Sequence, residues 1–75
     1  MKKSEFIEEL EDILDVGELS ESQKLHDLDS FDSLAVMSIA ALIRTAVNVS
    51  IPGRAIKEAA TVGSLLDMIG REKFE

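Results

Sequence analysis

Apolar residues recur at helical spacing in three separate blocks of this 75-residue chain, and the stretch from Val16 to Phe31 between the first two keeps no period. In the first block Phe6, Ile7, Leu10, Ile13 and Leu14 fall on one face, which predicts a helix over residues 4–15. Ser4 is its expected cap, Glu5, Glu8 and Glu9 sit at the positive end of its dipole, and Gly17 is its expected closing residue. The second block runs from Ser33 to about Val47 behind Asp32, a favoured N-cap residue. Leu34, Met37 and Ala41, with one or both of Ile39 and Ala40, make its expected inward stripe, extended by Leu42 and Ile43. Asn48 is a plausible end, and Val49-Ser50-Ile51-Pro52-Gly53 is a break. Residues 54–59 allow one short helix. Thr61 then caps a last helix through Leu65, Leu66 and Ile69 to residue 72. Leu10, Leu34 and Leu65 are each expected to face the core.

The expectation is therefore an all-α fold: a small four-helix bundle with a short third helix and a long loop between helices one and two. Within that loop Leu19, Leu25 and Leu28 recur among polar residues, as if pinning it to the core. A connection this long in so small a domain is unusual unless it is functional. The chain reads as one domain, residues 1–75. At this size only about 60% of the unfolded surface is buried, leaving a thin core and no room for a catalytic cleft on a supporting scaffold. Apolar residues at 45% against 31% charged place the chain among globular rather than disordered sequences.

The charge excludes further classes. Fifteen acidic residues against eight basic ones give a net charge of −7, which repels phosphate backbones and anionic membranes. Basic patches on other proteins are the natural complement. Cysteine is absent, so disulfides, a thiolate zinc site and a thiol nucleophile are all excluded. Met1-Lys2-Lys3 is followed by Ser4-Glu5-Phe6-Ile7-Glu8-Glu9 instead of an apolar signal core, and the longest apolar run, Ile39 to Ile43, is too short to span a bilayer. The expectation is a cytoplasmic monomer without membrane insertion.

Two kinds of chemistry fail on their own demands. A calcium loop begun at Asp27 needs an oxygen ligand at its fifth place, glycine at its sixth and glutamate at its twelfth, and the chain has Phe31, Asp32 and Ser38 there. A frame begun at Asp29 places Phe31 third. No metal site is expected. Hydrolysis at Ser33 lacks a glycine-flanked nucleophile elbow, and the single histidine, His26, lies seven positions upstream in an acidic loop. No catalytic residue is expected, and the chain is read as not an enzyme.

A different chemistry asks only for a presented hydroxyl. In Asp27-Leu28-Asp29-Ser30-Phe31-Asp32-Ser33-Leu34, Ser33 stands between an acidic loop and the start of a helix, where unpaired N–H groups and the dipole favour a phosphodiester. The order of Asp27-Leu28, Phe31 and Asp32-Ser33-Leu34, the later Val49-Ser50-Ile51-Pro52 turn, and Thr61-Val62 opening the last helix together resemble the acyl carrier proteins over nearly the whole chain. The resemblance implies a 4'-phosphopantetheine arm on Ser33, with Asp32 and Leu34 as flanking recognition residues and Val36 and Met37 on the partner surface. It also implies a phosphopantetheinyl transferase and acyl-loading and acyl-transfer enzymes as partners, with acyl cargo held as a thioester. Ser30 stands where the family usually has glycine; only Ser33 has Asp before it and Leu after it.

One departure concerns charge. Carriers of fatty-acid synthesis usually present several acidic residues on helix two, whereas residues 35–53 here carry only Arg44. Residues 1–22 hold −6 and residues 23–34 hold −2, so the acidity lies on helix one and its loop. That favours a dedicated carrier of a specialised pathway; Ala35 and Ser38 are the positions where added acids are expected to restore generic docking. An aminoacyl or peptidyl carrier, such as a D-alanyl carrier, is the first alternative on the same scaffold. An unmodified helical adaptor with an apolar groove is the second.

Overall fold

A computed structural model describes residues 1–75, folded into four helices. These are α1 (Lys3–Leu14), α2 (Ser33–Val47), the short α3 (Gly53–Lys57) and α4 (Val62–Ile69), with single 3₁₀ turns at Leu25–Asp27 and Arg71–Lys73. No strand is present; one isolated antiparallel bridge joins Lys24 to Thr61. The all-α expectation, the short third helix and the long connection all hold. No helix is long and apolar enough to cross a membrane.

Helix boundaries follow the caps, and two caps differ from expectation. Ser4 lies inside the first turn of α1; Lys2 holds the cap position, and its N–H donates to the Glu5 carboxylate at 3.0 Å. A glutamate reaching back from the third helical position satisfies the cap residue's own N–H, which is one half of a capping box. At the other end Asp15, not Gly17, adopts the left-handed conformation (φ 55°), and the chain leaves the helix there. A short polar side chain tolerates that region better than most. Asn48 does the same after α2 (φ 58°), as expected. α4 ends at Ile69 rather than residue 72 because Gly70 takes φ +105°, a value that needs glycine, and a 3₁₀ turn follows.

The core is wholly apolar. Phe6, Leu10 and Leu14 come from α1, Ile56 from α3, Val62, Leu65, Leu66 and Ile69 from α4, and Leu19 and Leu25 from the long loop. From α2 it takes Ala35, Val36, Ile39 and Ile43. This bears out Ile39 and Ile43 but overturns three members of the expected inward stripe: Leu34 is 74% exposed, Met37 is 67% exposed and Ala41 faces solvent. α2 carries two apolar stripes on opposite sides, and the one with β-branched residues packs against α1 and α3. A methyl group placed on Gly53, at the start of α3, would lie 3.3 Å from Val36 Cγ1, so Val36 is enclosed by that helix.

The long loop is held by α4. The first N–H groups of a helix have no partner within it. Here Val62 N–H donates to the Gln23 carbonyl at 3.1 Å and Gly63 N–H to the Glu21 carbonyl at 2.8 Å. Leu25 N–H returns a bond to the Ala60 carbonyl at 3.0 Å, and the Thr61 hydroxyl oxygen accepts from Ser64 N–H at 3.0 Å. Gly63 suits this approach, since a Cβ there would sit 3.2 Å from the Glu21 carbonyl oxygen, a tight contact. The Glu21 carboxylate then bridges Arg71 Nη2 at 2.7 Å and Lys3 Nζ at 2.8 Å, joining the loop to both ends of the chain. Phe74 closes over Phe6 with ring centroids 5.1 Å apart.

Two outcomes follow from this packing. Leu10→Ala and Leu65→Ala should each cost roughly 2–5 kcal/mol in urea unfolding, whereas Leu34→Ala should stay within about 0.5 kcal/mol of wild type. Equal losses at all three positions would refute the burial pattern. The second concerns acid. Hydrogen bonds from Arg71 and then Lys3 lower the Glu21 carboxyl from its ordinary 4.5 to about 2. A depressed carboxyl stabilises fully above its unfolded value and loses that contribution as pH falls through its folded one. Wild type should therefore exceed Glu21→Gln in thermal midpoint above pH 4.5, with the gap closing between pH 4.5 and about 2. A gap independent of pH would show that the carboxylate charge is not what holds the loop.

Candidate functional site

The site expected at the head of α2 is assembled by local backbone geometry. Leu28 and Phe31 are half-buried against the core and anchor the approach. Phe31 N–H donates to the Leu28 carbonyl at 3.1 Å and Asp32 N–H to the Ser30 carbonyl at 2.9 Å, two tight turns in succession. Asp32 is extended (φ −109°, ψ −173°), and its Oδ1 accepts from Ala35 N–H at 2.9 Å. Its own carbonyl accepts from Val36 N–H at 2.9 Å, starting the helical ladder. Asp32 is thus the expected N-cap.

Ser33 is the first residue of α2 and is exposed. Its hydroxyl makes no hydrogen bond within the chain, and neither its N–H nor that of Leu34 has a protein acceptor. No acidic residue occupies the first turn of α2, and the Asp32 carboxylate is engaged by Ala35 N–H. A negatively charged group on the Ser33 oxygen would meet two free donors and the positive end of a fifteen-residue helix. Ser30, by contrast, is half-buried and its carbonyl is held in the turn.

The other expected residues divide. Leu34 flanks Ser33 in the open, and Met37 lies one turn further along the same exposed face. Val36, expected on the partner surface, is only 6% exposed and is withdrawn from it, because α3 covers that side of α2. His26 is exposed, and its ring meets the Phe31 ring edge-on with centroids 5.4 Å apart. No group of three His, Cys, Asp or Glu side chains converges on a point where a metal could sit. Ala41, expected in the inward stripe, and Arg44, noted for its charge alone, also lie exposed on α2. Their signal was there in the near-absence of charge along α2, read at a spacing of three and four from Leu34.

What the arrangement can do is limited and specific: it offers one free hydroxyl, at the positive end of a helix, beside an uncharged apolar strip. Residues 4–69 match a family model described as the phosphopantetheine attachment site. No curated protein and no solved structure matches the chain.

Proposed function

The chain belongs to the phosphopantetheine attachment-site family, and from that membership we propose that Ser33 is the residue that bears the arm. Domains of this family bind 4'-phosphopantetheine covalently and are carriers rather than catalysts. Their partners are a phosphopantetheinyl transferase and the biosynthetic enzymes that load and unload them. The arm supplies the thiol on which cargo is held, a group this cysteine-free chain lacks.

The observation that supports Ser33 is its unengaged, exposed hydroxyl on a capped helix start with two free N–H groups alongside. Asp32 orders that start through Ala35 N–H, and Leu34 presents an apolar side chain next to the hydroxyl. The single carrier domain spans residues 1–75 and works as a monomer, holding acyl intermediates as thioesters. Incubation with coenzyme A, magnesium and a broad-specificity transferase should add the mass of one phosphopantetheine. Ser33→Ala should abolish the gain and Ser30→Ala should keep it. A gain that persists in Ser33→Ala would sink the assignment.

The cargo reading rests on charge. α2 carries Arg44 and no acid, so it offers little to enzymes that dock through basic residues, and a dedicated pathway with its own loading enzyme suits the chain better. An exposed ion pair contributes about 0.2–1 kcal/mol. Ser38 faces solvent, but Ala35, the second position chosen from the sequence, is buried and unsuitable; Ala41 replaces it. With the modified protein, Ser38→Glu combined with Ala41→Glu should raise kcat/KM for a generic fatty-acid malonyl transferase by roughly two- to thirtyfold. Wild type that already loads as fast as a housekeeping fatty-acid carrier would overturn the dedicated-pathway reading.

A further inference from the structure

We propose that the loop from Leu19 to Asp32 and the first turn of α4 open and close as one two-state element. Arg71 clamps it at one end and the group on Ser33 clamps it at the other, the second half resting on Ser33 being the attachment residue. The element is traced by its hydrogen bonds. Across the junction with α4, Gly63 N–H donates to the Glu21 carbonyl at 2.8 Å, Val62 N–H to the Gln23 carbonyl at 3.1 Å, and Leu25 N–H to the Ala60 carbonyl at 3.0 Å. Beyond Leu25 the bonds are local. Leu28 N–H donates to the Leu25 carbonyl at 3.1 Å, Phe31 N–H to Leu28 at 3.1 Å and Asp32 N–H to Ser30 at 2.9 Å. The Asp32 carboxylate then accepts from Ala35 N–H at 2.9 Å.

Successive bonded residues from Glu21 to Ala35 are never more than three apart, so the path has no weak point at which to part. Freeing one cross-bond removes the register its neighbours need two residues away. It also leaves donors at the head of α4 without partners. Leu19 and Leu25, both buried, leave the core in the same event. Losses that arrive together make an opening cooperative.

Each end of the element carries a group that favours the closed form. Arg71 lies in the 3₁₀ turn after α4, beyond the matched residues 4–69. Its Nη2 meets the Glu21 carboxylate at 2.7 Å and its Nε meets the Asp67 carboxylate at 2.5 Å. One guanidinium thus spans the junction from α4 to the loop, and Lys3 Nζ adds a second cation to Glu21 at 2.8 Å. At the other end the N–H groups of Ser33 and Leu34 have no protein acceptor, and the cap by Asp32 aligns them. A phosphodiester on Ser33 gains from those donors in the closed form and loses them in the open one. Two sites that bias one equilibrium are coupled, and the coupling is the same read from either side. The arm and the Arg71 clamp therefore act on each other from opposite ends of the loop.

Residue-resolved amide hydrogen exchange tests this on three proteins: unmodified wild type, unmodified Arg71→Gln, and wild type loaded with phosphopantetheine from coenzyme A. In unmodified wild type the amides of Leu25, Leu28, Phe31, Ala35, Val62 and Gly63 should share one opening constant, about tenfold or more above that of Ile39 and Ile43 within α2. Arg71→Gln removes two exposed ion pairs and should raise all six together by about two- to thirtyfold. Loading should lower all six by about two- to fivefold, Val62 and Gly63 included. Three results would each overturn the two-state element: opening constants at Phe31 and Val62 more than about threefold apart, six amides that open only together with Ile39 and Ile43, or an Arg71→Gln effect confined to Val62 and Gly63. A loading effect confined to Ala35 would overturn the coupling. Failure of the underlying assignment reads differently: wild type gains no mass, or Ser33→Ala still gains it, while exchange in the two unmodified proteins keeps the expected pattern.

Discussion

The hydrogen bonds from Val62 and Gly63 to the carbonyls of Gln23 and Glu21 are the interaction on which the rest of this structure depends. A helix of eight residues has most of its leading N–H groups unsatisfied, and a long irregular loop has unpaired carbonyls. Each supplies what the other lacks. The pairing brings Leu19 and Leu25 into the core and leaves Leu28 and Phe31 half-buried behind them, so the chain reaches Asp32 from a defined direction. Ser33 is placed by this closure rather than by anything in its own side chain. The Lys3–Glu21–Arg71 bridge reinforces the same junction from outside.

The fold divides the labour of α2 between its two sides. One side gives Ala35, Val36, Ile39 and Ile43 to a core in which no polar or charged residue is buried. In a chain this small each of those residues matters, since total stability is only several kcal/mol. The other side keeps Leu34 and Met37 in water, which contributes nothing to folding and is the kind of exposure usually associated with binding. Most acidic residues lie on α1 and the loop, of which Asp29 and Asp32 stand exposed beside the head of α2.

A carrier needs little chemistry of its own. Base, metal and donor come with the modifying enzyme, and the thiol comes with the arm. On the proposed reading the domain contributes an exposed hydroxyl at a capped helix start and a surface for its partners. The cap by Asp32 supplies the first, because it ends the loop and starts the helix within one residue of Ser33. The uncharged face of α2 bears on the second.

Much of this was legible in the residues. Helical spacing marked three of the helices, Asp32 and Thr61 marked two caps, and Asn48 marked a helix end, because capping and periodicity are local and each is read within a turn. Ser33 stood out through its neighbours and through matches in the right order along the chain. Gly17 misled where Asp15 turned the chain, since several residue types can adopt the left-handed cap and the competition is settled by packing. The inward face of α2 misled more seriously, and Leu34 and Val36 exchanged roles. A helix with one charge has no polar side to set its phase: the sequence determined that α2 exists, where it begins and which hydroxyl leads it. Which stripe faces inward was decided only when α1 and α3 packed against Val36, Ile39 and Ile43, because burial depends on neighbours brought together from distant parts of the chain.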